Sequence, residues 1–495
     1  MTYLNPIIKG FHPDPSVCRV GNEYFLAVST FEYFPGISIF RSTDLINWEQ
    51  ISSCITRPEQ LSFERFKSSG GIWAPTIRFN NGRFYITATV DGKGNMIVHT
   101  DDIYGEWSNP VWVKMGGIDP SILFDNGKCC YCTNARGSDN REAISAAEIN
   151  PDTGELLSEP VQIWYGIGEG WLEGPHIYHI NDWYYILTSE GGTSYNHMIS
   201  LGRSKELFGK YESCPENPIM TNRNDTTKQV QCAGHGDFIE GSDGNWYMVH
   251  LATRSCIGNR TPLGREVFLT PIKFENGWVS IKDKKAFLEN NSDMGIQKPG
   301  IEFRADFGKD IWENEFKFIR TPNHNAYSRG NGFLAVKPSC GSFDVPNNPS
   351  FVGIVQPDFN FECNAKLNFT PLESGDEAGL ILYLQADTYI RLAVKRENDK
   401  NYITVLRVCD DMYMTGYKDE IGSDDVYLKI SGDKEKYHFY YSLNGKNYTH
   451  MCDASLRFMC VQTASRCFTG TFIGMYALCE KKTAAEAKFY SFNVK

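Results

Sequence analysis

The sequence predicts an all-β protein: a five-bladed β-propeller followed by a β-sandwich of the jelly-roll, lectin-like kind. Three observations carry that prediction. The 495 residues include 31 Phe, 26 Tyr and 10 Trp beside 44 Gly and 22 Pro, a mixture of strand-formers and turn-formers. Five copies of one hairpin layout fill the first 290 residues. Beyond them the chain stays strand-rich, but the repeat stops.

The copies follow one another in order. Each has a two-residue step, a short apolar run, a turn and an aromatic-rich strand. The first reads Asp14-Pro15-Ser-Val, Gly21-Asn22 and Glu-Tyr-Phe-Leu. The second has Ala74-Pro75 and Asn81-Gly82, the third Asp119-Pro120 and Asn126-Gly127. The fourth has Gly174-Pro175 and Asn181-Asp182, the fifth Gly236-Asp237 and Asp243-Gly244. In copies two to five the turn comes six residues after the second residue of the step. Asn-Gly and Asp-Gly between apolar runs signal tight hairpins, because both turn positions need positive φ. The copies recur every 45 to 62 residues, room for four strands, and radial repetition of four-stranded sheets is a propeller. Unrelated hairpins in a sandwich are the competing reading.

Asn290–Pro299 is polar and irregular and reads as a linker, so the expected domains are 1–290 and 300–495. The second contains strand-like runs such as Phe333-Leu-Ala-Val, Ala378-Gly-Leu-Ile-Leu-Tyr-Leu, Tyr389-Ile-Arg-Leu-Ala-Val and Tyr437-His-Phe-Tyr-Tyr. Short strands with turn signals and no repeat suggest a sandwich.

Composition narrows the function. The net charge of −11 argues against nucleic acid, which needs a basic footprint. No apolar run is long enough to span a membrane. The amino terminus lacks a basic segment followed by an apolar one, and fifteen cysteines without an export signal suggest the reducing cytoplasm. Cys129-Cys130-Tyr131-Cys132 contains a CxxC, but it lies in a strand-like run without a second pair and reads as core. Oligomeric state stays open, a homo-oligomer included.

A propeller gathers equivalent positions of its blades around one mouth. The ring carries Asp14, Ala74, Asp119, Gly174 and Gly236, with Glu173 just before Gly174. Three carboxylates from three blades would converge there, unless the Asp residues only start turns. A cation would want six to eight oxygens. The other standard use is a sugar flanked by a proton donor and a base, with the third acid raising the donor's pKa. Phe31, Phe34, Trp73 and Trp171 are the ring-stacking candidates.

Five motifs carry a resemblance: Phe11-His-Pro-Asp-Pro-Ser16, Ser29-Thr-Phe-Glu-Tyr-Phe-Pro-Gly36, Ser69-Gly-Gly-Ile-Trp-Ala-Pro75, Trp171-Leu-Glu-Gly-Pro-His176 and Pro262-Leu-Gly-Arg-Glu266. With them the chain resembles glycoside hydrolase family 43, in its exo-acting β-xylosidase/α-L-arabinofuranosidase branch. The resemblance implies an inverting mechanism with Asp14 as general base, Glu173 as general acid and Asp119 as the residue that tunes and orients the acid. It implies that Arg265 contacts sugar hydroxyls, and that Phe31 and Trp73 wall the terminal-sugar subsite. His235 would be the central histidine that in relatives touches water or calcium. No cofactor is implied as required, and calcium is the one metal admitted. Phe468, in Phe468-Thr-Gly-Thr-Phe-Ile-Gly474, would close the pocket from the sandwich and impose exo action. The implied substrates are xylo-oligosaccharides or arabinose-substituted oligosaccharides. Gly170-Trp-Leu before Glu173 and Ile118 before Asp119 depart from the β-xylosidase pattern and leave the choice of sugar open.

Two rivals make different demands. A non-catalytic carbohydrate-binding propeller would carry equivalent pockets in every blade, whereas the ring positions differ. An arabinan-directed endo-hydrolase would keep an open groove and do without the sandwich loop.

Overall fold

The computed structural model describes residues 2–136, 140–300, 302–308, 314–343, 347–464 and 466–495. The chain is all-β, and its helical pieces among the described residues are three short 3-10 turns. No helix is long and apolar enough to cross a membrane.

Five antiparallel sheets fill the first part. Their innermost strands are Ser16–Val20, Ile72–Asn80, Ser121–Asp125, Glu173–Ile180 and Val230–Glu240, and each adjoins the next until the fifth meets the first. That circular order makes five blades. Within each blade the strands run outward in chain order; the first four steps lie at or near the inner strands' starts, whereas Gly236-Asp237 lies past the middle of Val230–Glu240. The ring is clasped by pairing of Thr2–Leu4 with Glu289–Asn291. The predicted linker is therefore partly a strand, and its next residues are tied down as well. Gln297 brackets Leu4 with two hydrogen bonds of 2.8 Å, and the Lys298 N–H donates to Asn47.

The turn signals explain four of the five inner hairpins. Asn80 pairs with Arg83 and Asp125 with Lys128 across two-residue loops, whose Asn and Gly all have positive φ, as a twist-matched turn requires. The first and fourth hairpins are equally tight. The fifth is not: Glu240 pairs with Trp246, leaving a five-residue loop. Asp243 stabilises the wider loop by accepting from the Asn245 N–H and the Tyr247 hydroxyl.

Aromatic residues of the second strands join neighbouring blades. Phe25 meets Phe84 edge-on at 5.1 Å, Tyr85 meets Phe124 at 5.0 Å and Tyr185 meets Phe274 at 5.6 Å. Such pairs contribute about 0.5–1.5 kcal/mol each beyond area burial.

The second part is a sandwich of two large, mainly antiparallel sheets, one built around Phe361–Asn368 and Ala487–Val494, the other around Glu377–Gln385 and Phe472–Cys479. Leu380, Leu392 and Val405 of one sheet share a core with Leu428, Phe439 and Phe489 of the other. A short ribbon fastens this body to the first blade, where Phe318–Ile319 pairs with Tyr33–Phe34. Beside it the rings of Tyr33 and Phe472 stack at 3.9 Å. Arg320, 1% exposed, donates its backbone N–H to the Glu32 carbonyl and its guanidinium to the Phe66 and Asn347 carbonyls. Docking thus spends a fully buried arginine, which ties the sandwich to one orientation.

Candidate active site

The inner strands deliver the three acids through unusual backbone. Asp14 and Asp119 each precede an inner strand in the left-handed region, with φ of 54° and 52°, which Asp tolerates better than most residues. Glu173 opens the fourth inner strand, and a bulge follows it. The fifth inner strand bulges on both sides of Gly234, and His235 lies in the left-handed region with φ 47°. Bulges re-aim side chains beside active sites. Here they turn His235 onto Gly174, where a Cβ would lie 3.1 Å from the imidazole. The glycine in the fourth blade's ring position is what lets the histidine in.

Asp14 is 4% exposed. One oxygen accepts from the Ser29 hydroxyl at 2.6 Å, the other from Arg265 Nη1 at 2.7 Å, and His235 Nδ1 stands 3.7 Å from that second oxygen. Asp119, also buried, accepts from the Gly174 N–H at 3.1 Å. Burial, countered by His235 and reinforced by Glu173 and Asp14, pushes its carboxyl up to about 7. Glu173 also rises to about 7, through burial first and the Asp14 charge second, with Arg265 opposing. Three acids from blades one, three and four thus share one field.

The aromatic candidates separate. Phe31 is buried at the site, and its ring lies 5.5 Å from the Arg265 guanidinium. Phe468, 42% exposed, stacks on Phe31 at 6.5 Å and 21°. Its N–H donates to Ser69 Oγ at 2.9 Å, and its carbonyl accepts from Arg265 Nη2 at 3.1 Å. Trp73 is half-buried nearby and donates to the Ser69 carbonyl at 3.4 Å. Trp171 is 66% exposed over Gly192, and a cavity of about 640 Å³ beside Glu173 is lined by Ile118, Arg136, Glu142, Trp171 and Leu172 among others. Phe34 is not at the site. It is 2% exposed and packs edge-on against Phe63 at 5.6 Å, because its strand pairs with Phe318–Ile319 and turns its ring into the shared core.

Beneath the acids lies a polar floor that sequence reasoning missed. Asp237, fully buried, receives both terminal nitrogens of Arg78 at 2.8 and 3.0 Å, the Ser16 hydroxyl at 2.7 Å and the Tyr178 hydroxyl at 2.5 Å. Against the upward push of burial, Arg78 and His176 hold its carboxyl well below the usual range. Asp237 of blade five thus gathers partners from blades one, two and four. A usable signal was present: the residue after each of the first four steps is Ser16, Thr76, Ser121 or His176, and all four are buried. Polar residues at one offset in otherwise apolar strands mark an internal network.

Among the described ion pairs, the carboxylate oxygen at His235 Nδ1 belongs to Asp14 and is also held by Arg265. The CxxC cysteines are buried core thiols. Burial lifts Cys132 to about 11 and Cys129 to about 12, away from the reactive thiolate range.

The profile for glycosyl hydrolases family 43 matches residues 3–279, and one for the β-xylosidase C-terminal concanavalin A-like domain matches 304–495. The chain belongs to glycosyl hydrolase family 43. It is 35% identical to a non-reducing-end α-L-arabinofuranosidase of Bacteroides ovatus over 96% of this chain and 91% of that one. It is 34% identical to a xylosidase/arabinosidase of Butyrivibrio fibrisolvens, over 99% and 98%. Among solved structures, a xylan β-1,4-xylosidase from Bacillus halodurans superimposes with a TM-score of 0.93 at 30% identity, covering 99% of each chain. This family 43 chain is an exo-acting glycoside hydrolase.

Proposed function

We propose that the enzyme removes terminal β-D-xylose, α-L-arabinofuranose or both from the non-reducing ends of hemicellulose-derived oligosaccharides, with inversion. The carrying observation is the trio itself: two carboxyls raised to about 7 beside a third held by Arg265 and Ser29.

Glu173 is the general acid. Burial and the Asp14 charge keep it protonated near neutral pH, ready to protonate the leaving oxygen. Asp119 competes for that proton, but the Gly174 N–H favours its ionised form, which leaves the proton with Glu173. Asp14 is the general base, its oxygens aimed by Arg265 and Ser29 to take a proton from the attacking water. Inversion needs acid and base about 6.5–9.5 Å apart to admit that water. Phe31, Trp73 and Phe468 wall the terminal sugar, and Arg265 and His235 face its hydroxyls. The cavity beside Trp171 suits the rest of the oligosaccharide.

The contacts of Phe468 with Ser69 and Arg265 favour a closed end over the open groove of an endo-hydrolase. The unequal ring positions speak against a lectin. Acid–base chemistry on carboxyls requires no cofactor, and a chelator that stops turnover would reopen the case for calcium near His235. Free thiols at all fifteen cysteines support a reducing, cytoplasmic setting. The direct test is hydrolysis of paired aryl glycosides. Release from the β-D-xyloside, the α-L-arabinofuranoside or both is expected, and failure on both overturns the proposal.

A further inference from the structure

Far along the chain from the acids, the last two strands of one sandwich sheet, Lys436–Ser442 and Thr449–Ser455, form a hairpin at the sheet's edge. His438 and Asp453 pair directly across it. The next pairs are Phe439 with Cys452 and Tyr440 with His450, so Met451 is an extra residue, a bulge. In a regular strand residues three apart point to opposite faces. The bulge cancels that alternation: Met451 turns inward, 7% exposed, and His450 joins Asp453 on the outer face. His438 Nδ1 and His450 Nε2 then lie 2.8 and 2.7 Å from the same oxygen, Oδ1 of Asp453. The three ligand-capable atoms are mutually within 4.8 Å.

The other nitrogen of His438 completes the pattern. Nε2 stands 3.1 Å from Asp433 Oδ2, and a carboxylate behind an imidazole fixes its tautomer and raises its basicity, the usual support for a metal-bound histidine. With the proton on Nε2, the Nδ1 lone pair faces His450 and Asp453. We propose that His438, His450 and Asp453 form a binding site for a divalent d-block cation such as zinc.

Two imidazoles and one carboxylate suit zinc, cobalt, nickel or copper, whereas calcium and magnesium prefer all-oxygen sets. Asp433 and Asp453 offset the two cations beside them, Lys436, whose Nζ is 3.5 Å from Asp453, and Arg407, whose guanidinium donates to the Asp453 carbonyl; the donor set, not the net charge, carries the site. Tetrahedral ligands at about 2.0–2.1 Å lie a little over 3 Å apart; the present contacts need open only slightly. A bound ion would clip the edge strand to its neighbour, and its fourth position would take water.

The test is titration of the full-length, metal-stripped enzyme with Co²⁺, followed by visible absorption, beside H450A and H438Q. The site predicts one equivalent bound, d–d bands of a four- or five-coordinate ion without the near-ultraviolet bands of cobalt–thiolate, and affinity roughly 100-fold weaker in each variant. Excess Zn²⁺ should raise the melting temperature of the wild type and leave that of H450A unchanged. His450 is exposed, and wild-type aryl-glycoside turnover checks that its variant folds. Thiolate bands, equal binding in H450A, or no binding at micromolar metal would each overturn the site.

Discussion

Phe468 and Ser69 stand 399 positions apart, yet the Phe468 N–H donates to the Ser69 hydroxyl at 2.9 Å. That bond brings the sandwich to the wall of the propeller's active site, and Arg265 secures the same turn by holding the Phe468 carbonyl while it holds Asp14. On the proposed function, the second domain is thus part of the pocket.

Loosening that loop should cost binding before chemistry. Ser69→Ala should raise KM about three- to tenfold with little change in kcat, matching the roughly 1 kcal/mol of one hydrogen bond. Phe468→Ala should lower kcat/KM further. Steady-state kinetics on a disaccharide decide: wild-type constants for both variants would favour an open groove.

The two opposed acids should fail differently. Glu173→Gln should lose about 10³-fold or more on a sugar leaving group and much less on a dinitrophenolate, which departs unprotonated. Asp14→Ala should lose activity on both, because water still needs its base. Equal losses across leaving groups in Glu173→Gln would remove it from the acid role.

The raised carboxyls make a linked prediction about pH. A carboxyl raised to about 7 in the fold is protonated below that pH, so kcat/KM should fall as pH rises through about 7. The same group adds stability that is complete below its unfolded pKa and is lost as pH rises through the folded one. Glu173→Gln should therefore melt higher than wild type at pH 8, by about 1–3 kcal/mol of stability, with the gap closing by pH 5. Thermal unfolding at the two pH values checks this; a variant less stable at both would contradict it.

The floor should matter for folding. Arg78→Met leaves the Asp237 charge unpaired where it is fully buried, and breaking such a pair costs about 3–5 kcal/mol. Urea unfolding measures this, and a loss under 1 kcal/mol would mean water replaces the guanidinium.

Much of this architecture is legible in the sequence. Asn81-Gly82 and Asn126-Gly127 mark their hairpins because both turn positions need positive φ, and the repeated step aligns Asp14 and Asp119, with Glu173 just before the fourth step, on one ring. What escaped was set by distant partners. Phe34 reads as a ring-stacking candidate until Phe318 pairs with its strand. Asp243-Gly244 reads as a two-residue turn, but Asp243 caps a wider loop. Arg78 and Asp237 lie 159 positions apart, and nothing local in either announces the other.

The central claim is that Asp14 activates a single water on one side of the scissile bond while Glu173 protonates the leaving oxygen on the other. Proton NMR during the first minutes of hydrolysis of a β-xyloside, or of an α-arabinofuranoside if that is the better substrate, tests it most directly. The account predicts that the first sugar released has the anomeric configuration opposite to the substrate and only later mutarotates. A first product of unchanged configuration would mean a covalent intermediate, and the assignment of Asp14 as base would fall.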